Sequence, residues 1–166
     1  MGREISFIQY MRAHGNTPGP TQRPYLNGAL SGFTAAIPSL LVFHYSGASD
    51  SVALKIGMNL WLVLLLHTSV LIVGGMIYAA IFKRAANDCK GGWLFGISYG
   101  FLLWMLGPVT LWETVTSLPL AVGTAAMGLF AAQLVFGLLL GLTYPRMHAL
   151  VQKRLNNAGG AAQGYG

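Results

Sequence analysis

The chain has 166 residues, 54% of them hydrophobic and only 8% charged, with a formal net charge of +6. An ordinary soluble domain carries roughly 25% charged residues, so that class is excluded and the surface needs lipid to cover it. The Lys and Arg residues are scattered at segment ends with no long basic run, which fits membrane topology and argues against a nucleic-acid partner. Cys89 is the single cysteine, so neither an internal disulfide nor a multi-cysteine metal site can form.

Residues 4 to 13 place Ile5, Ile8 and Met11 on one helical stripe beside Gln9 and Arg12. This reads either as a short helix on the membrane surface or as a frayed, solvated terminus. Segment 1–24 holds no apolar run, so no cleavable signal peptide is expected and the first span serves as its own insertion signal. Pro18, Pro20 and Pro24 make its second half a non-helical connector.

Four apolar runs follow, over about 25–45, 56–82, 91–117 and 120–144, each long enough to cross a hydrocarbon core of about 30 Å. Pro38 interrupts the first, a loop over 46–55 precedes the second, and Gly107-Pro108 bends the third. A polar turn over 85–90 divides the second from the third, and Pro119 marks the turn into the last. Beyond Pro145, segment 146–166 begins with Met147, Leu150, Val151 and Leu155 on one side, an interfacial helix for an anionic leaflet. Its glycine-rich end reads as a flexible tail.

Basic residues set the orientation. Arg3, Arg12 and Arg23, then Lys83, Arg84 and Lys90, then Arg146, Lys153 and Arg154 fall on one side, and Lys55 alone on the other. Both termini and the middle loop are therefore expected in the cytoplasm. The expected fold is an all-α membrane protein, a four-transmembrane-helix bundle made of two similar helical hairpins.

That similarity is internal. Tyr25-Leu26-Asn27-Gly28-Ala29-Leu30-Ser31-Gly32-Phe33 matches Trp93-Leu94-Phe95-Gly96-Ile97-Ser98-Tyr99-Gly100-Phe101 at aromatic, Leu, Gly, Gly and Phe positions. In the second helices, His67, Leu71, Gly75 and Tyr78 align with Gln133, Gly137, Gly141 and Tyr144. Spans one and three cross in the same direction, so the repeat is parallel.

Gly92, Gly96 and Gly100 recur every four residues, a side-chain-free groove where a second helix can approach. Gly28, Gly32, Gly75, Gly137 and Gly141 also lie in the cytoplasmic halves of their spans. Phe43, Trp61, Trp104 and Trp112 lie in the outer halves, so the bundle is expected to be pinched inside and wider outside.

Four polar residues are candidates for a site. Glu113 is the only carboxylate within a span, about one turn from its outer end, with His44 at similar depth as a possible partner. His67 lies near the midplane and must find a partner in the bundle, for which the repeat offers Gln133. Asn59, Thr68 and Ser98 are alternatives. Haem between His44 and His67 is disfavoured because the two differ by roughly two helical turns in depth. Motifs for phosphate loops, catalytic triads or metal clusters are absent, so no enzyme, cofactor or metal is expected.

The pattern Gly-x-x-Phe-Gly-x-x-x-Gly-x-x-x-Trp over 92–104, with Gly137, Gly141 and Tyr144 and with His67, Gly75 and Tyr78, resembles the YagU-like bacterial inner-membrane proteins. The resemblance covers residues 25 to 145 and implies four helices in a bacterial inner membrane, without a mechanism. Gln133 departs from the histidine expected there, which puts a two-histidine site in doubt. Glycine faces on all four spans lead to the expectation of an accessory or assembly subunit packed against other integral membrane subunits, with membrane lipids around it. Respiratory and photosynthetic electron-transfer complexes carry small subunits of this kind, an argument from analogy. The alternative is a small transporter or channel with an outward-facing polar cavity.

Overall fold

A computed structural model of the chain describes residues 24–82, 85–88, 90–117 and 123–163. The segment 4–13, Cys89, Pro119, Arg3, Arg12, Arg23, Lys83 and Arg84 lie outside these residues. The architecture is helical throughout: α1 (Pro24–Tyr45), a short α2 (Ala48–Ile56), α3 (Leu60–Phe82), α4 (Gly92–Trp104) and α5 (Thr124–Gln163). No strand occurs among the described residues. Helices over Pro24–Tyr45, Leu60–Phe82, Gly92–Trp112 and Thr124–Leu150 are long and apolar enough to cross a membrane.

Size, more than polarity, sorts these residues between inside and outside. On α3 the exposed face carries Trp61, Leu65, Val70, Val73, Ile77 and Ile81, while Gly74, Gly75 and Ala79 are buried. In water that would be inverted; in lipid the large apolar chains meet acyl tails, and small residues let backbones meet. Gly28 of α1 faces Gly75 of α3, where an added Cβ would lie 2.5 Å from the Gly75 carbonyl oxygen and a Cβ on Gly75 would strike that of Gly28. Gly96 and Gly137, and Gly92 and Gly141, make the same reciprocal approach between α4 and α5. Each carbonyl thus lies against a partner Cα, the geometry of a weak Cα–H···O contact.

The helices are arranged around a square with three tight sides. α1 packs on α3 and on α5, and α4 packs on α5. The fourth side, between α3 and α4, is held by side chains: Tyr78 and Tyr99 meet at 5.3 Å between ring centroids, Phe82 and Phe95 at 5.6 Å, and the Tyr99 hydroxyl donates to the Gly74 carbonyl at 2.7 Å. Tyr144 of α5 adds its edge to Tyr78 at 5.8 Å.

Several boundaries differ from expectation for identifiable reasons. The segment expected as a loop over 46–55 contains α2, and α3 begins only at Leu60, because Gly57 at φ 65° terminates α2 with its N–H on the Ala53 carbonyl. The bend near Pro108 is a π-helical stretch, Met105–Trp112, followed by one α-helical turn, Glu113–Thr116. Proline has no N–H to give, and here the ladder widens around it instead of breaking. The Thr110 hydroxyl donates to the Met105 carbonyl at 2.8 Å.

The helix does not end at Pro145, where the last span was expected to stop: α5 runs through it to Gln163. The Gly141 carbonyl, which lacks its usual donor at Pro145, faces Gly92. At 40 residues, α5 is about 60 Å long, twice the hydrocarbon thickness.

Candidate polar site

The expected site residues occupy three different settings. His44 sits at the end of α1, where its Nδ1 lies 3.1 Å from the Ser49 hydroxyl on α2. The histidine helps seat α2 on the bundle, and its hydrogen bond goes to Ser49. Glu113 is half-buried and opens the last α-turn after the π-helical stretch. Neither belongs to the bundle centre.

His67 and Gln133 do. His67 continues the buried stripe of α3 through Val63, Leu71, Gly74 and Tyr78. Its ring is stacked on Phe43 of α1 at 4.3 Å and 17°. Gln133 is 5% exposed and lies on α5 among Leu129, Ala132, Phe136 and Leu140, with its backbone carbonyl against Gly100. Their relative depth follows from α1. Ser39 donates to the Ala132 carbonyl at 2.8 Å, next to Gln133, and Phe43, about one helical turn further along α1, holds His67.

The two polar side chains are therefore within about one turn of each other along the bundle axis. No hydrogen bond joins them: His67 Nε2 and Gln133 Oε1 are both buried and have no hydrogen-bond partner among the described residues. The expected structural bond between repeat-related residues is not formed.

Asn59, Thr68 and Ser98 do not complete the pair either. The Asn59 carboxamide accepts from the Trp61 N–H at 2.9 Å, and the Thr68 hydroxyl donates to the Leu64 carbonyl of its own helix at 2.8 Å. Ser98 is on the exposed side of α4. Among the described residues, no three His, Cys, Asp or Glu side chains gather to hold a metal ion.

Toward the 85–90 turn, the tyrosine cluster and the glycine seams close the bundle. Toward the opposite end, among the described residues, the backbone of Met105–Thr116 packs closely on its own chain neighbours alone, although the Trp112 side chain reaches the Phe43–Val63–Leu129 cluster. This half is not simply open: α2 covers part of its end, with Ser46 seated over Gly128.

One polar pattern lies outside the expected site residues. Asn27, Ser31, Ala35 and Ser39 repeat every four residues and are all fully buried, which makes a small and polar stripe on α1. The spacing was visible in the sequence, but the stripe lies beside the more conspicuous Gly28 and Gly32.

No family model matches the chain, and no curated protein and no solved structure matches it.

Proposed function

We propose that the protein is a non-enzymatic, multi-pass protein of a bacterial inner membrane that admits a small solute into its outer half, with His67 and Gln133 as the recognition pair. The pair itself carries this reading: His67 Nε2 and Gln133 Oε1 are buried near one depth without partners. A polar atom in that state costs on the order of several kcal/mol in hydrocarbon, so a hydrogen-bonding guest stabilises both. The π-helical Met105–Trp112, loosely held against the other spans, is the segment with freedom to admit it.

The basic residues support cytoplasmic termini and a cytoplasmic 83–90 loop, which would make the tight glycine half the inner half. A parallel repeat of two hairpins is supported by the contact of Gly28 with Gly75 beside that of Gly96 with Gly137 and Gly141. Membership of the YagU-like group rests on the glycine and aromatic pattern alone.

An accessory subunit is the second reading. Its first motive, an excess of glycine faces, is weakened because Gly28, Gly32, Gly75, Gly92, Gly96, Gly100, Gly137 and Gly141 all close on one another or on neighbouring helices within the chain. What still favours it is the exposed apolar face of α3 from Trp61 to Ile81.

Reconstitution into vesicles is the test. Faster equilibration of small solutes than in protein-free vesicles is expected. Co-purification with other membrane subunits in fixed ratio after gentle extraction, with no solute flux, would replace the first reading by the second.

A further inference from the structure

We infer that the His67–Gln133 pair takes a small uncharged molecule bearing O–H or N–H groups, the class of water, ammonia and urea, and rejects ions; this rests on the solute reading above. The chemistry of the two atoms sets the class. Gln133 Oε1 only accepts, so the guest must donate. His67 Nε2 accepts when the ring proton is on Nδ1 and donates in the other tautomer. A guest that both donates and accepts satisfies either state.

Charge is excluded by the surroundings. The buried neighbours along these faces, Phe43, Val63, Leu71, Leu129 and Phe136, and the half-buried Leu103 bring no counter-charge. Asp50 and Lys55 belong to α2, and Glu113 to the last turn of the third span, so none of them is carried by the helices that hold His67 and Gln133. An ion stripped of water there would lose far more hydration energy than two neutral side chains return.

Size is limited as well. Phe43 covers one face of the imidazole at 4.3 Å, and the Tyr78–Tyr99–Tyr144 cluster lies on the inner side, so the guest reaches His67 at its ring edge.

The test is stopped-flow light scattering on vesicles containing the full chain, with water and urea gradients, a pH-sensitive dye for ammonia entry, and K⁺ and Cl⁻ currents in planar bilayers. Accelerated permeation of at least one neutral probe without ion current is expected. Gln133→Met and His67→Phe should lower it about tenfold, the effect of one lost hydrogen bond to a guest, and Gln133→Asn should lower it less. Leu65→Ala, on the lipid face, should leave it unchanged.

Ion current with no neutral flux would overturn the ligand class while leaving solute passage standing. Absence of both would overturn the two together. Undiminished neutral flux in a Gln133→Met protein of native helicity would remove the site. Gln133→Asn keeps the amide and so guards against a variant that fails to fold.

Discussion

Gly96 and Gly137 lie so close that a Cβ on either would run into the carbonyl oxygen of the other. The same relation holds between Gly28 and Gly75, and it makes sharp demands on neighbouring positions. Gly75→Ala should destabilise by about 1–3 kcal/mol, the usual cost of overpacking, because the obstacle is backbone that cannot turn away. Gly74→Ala, one residue earlier, should be tolerated, since its Cβ would meet Leu103 at 3.6 Å and the Tyr99 hydroxyl at 3.7 Å, ordinary contact distances. Unfolding in detergent with increasing SDS would compare them, and equal losses would contradict the packing described.

Tyr99→Phe should cost about 0.6–1 kcal/mol. The hydroxyl bonds the Gly74 carbonyl at 2.7 Å, one of few direct ties between α3 and α4, and interhelical bonds in membranes are of that size. The ring remains to fill the seam, so the helix content should not change. The same titration, read beside circular dichroism, measures the loss.

Ser117 and Gly57 offer opposite changes at chain reversals. Ser117 adopts φ 56° after the last turn of the third span, a conformation that disfavours a side chain. Ser117→Gly should raise stability by about 0.5–1 kcal/mol, and Gly57→Ala, at φ 65°, should lower it by about 1 kcal/mol. A higher melting midpoint for the first and a lower one for the second are the expected results.

Ser39→Ala tests the joint between α1 and α5. Losing the 2.8 Å bond to the Ala132 carbonyl should cost about 0.6 kcal/mol, and Ser39→Leu considerably more, because the helices meet too closely for the larger chain. A cysteine pair placed across that seam should cross-link more slowly in Ser39→Leu than in the parent.

The four spans were legible in the sequence because nothing but lipid tolerates such runs, and the glycine positions were legible as packing surfaces. Their partners were not. A glycine face announces a close approach without saying whether the approaching backbone belongs to the same chain, and here it does. α2 was hidden because nine residues with Asp50, Ser51 and Lys55 look like a polar loop, although Val52, Ala53 and Ile56 carry a weak helical stripe. Proline usually ends a helix, but the Gly141 carbonyl that Pro145 leaves without a donor lies against Gly92, and α5 continues.

The candidate site was legible in part. His67 and Gln133 were linked by the repeat, and both occupy the centre, but the direct hydrogen bond expected between them requires side-chain reach that spacing along a sequence does not reveal. The contact of His44 with Ser49, five residues away, was not legible, because it depends on α2 folding back at the end of α1.

The glycine contacts join spans that follow one another in the chain, α1 with α3 and α4 with α5, whereas only the Ser39 seam joins the first span to the last. Each hairpin can therefore close as soon as its own two segments have entered the bilayer, with the N-terminal one complete before the ribosome has made the other. Assembly then reduces to bringing two finished halves together along a single face, and a defect at Gly75 would be felt before α5 has been synthesised.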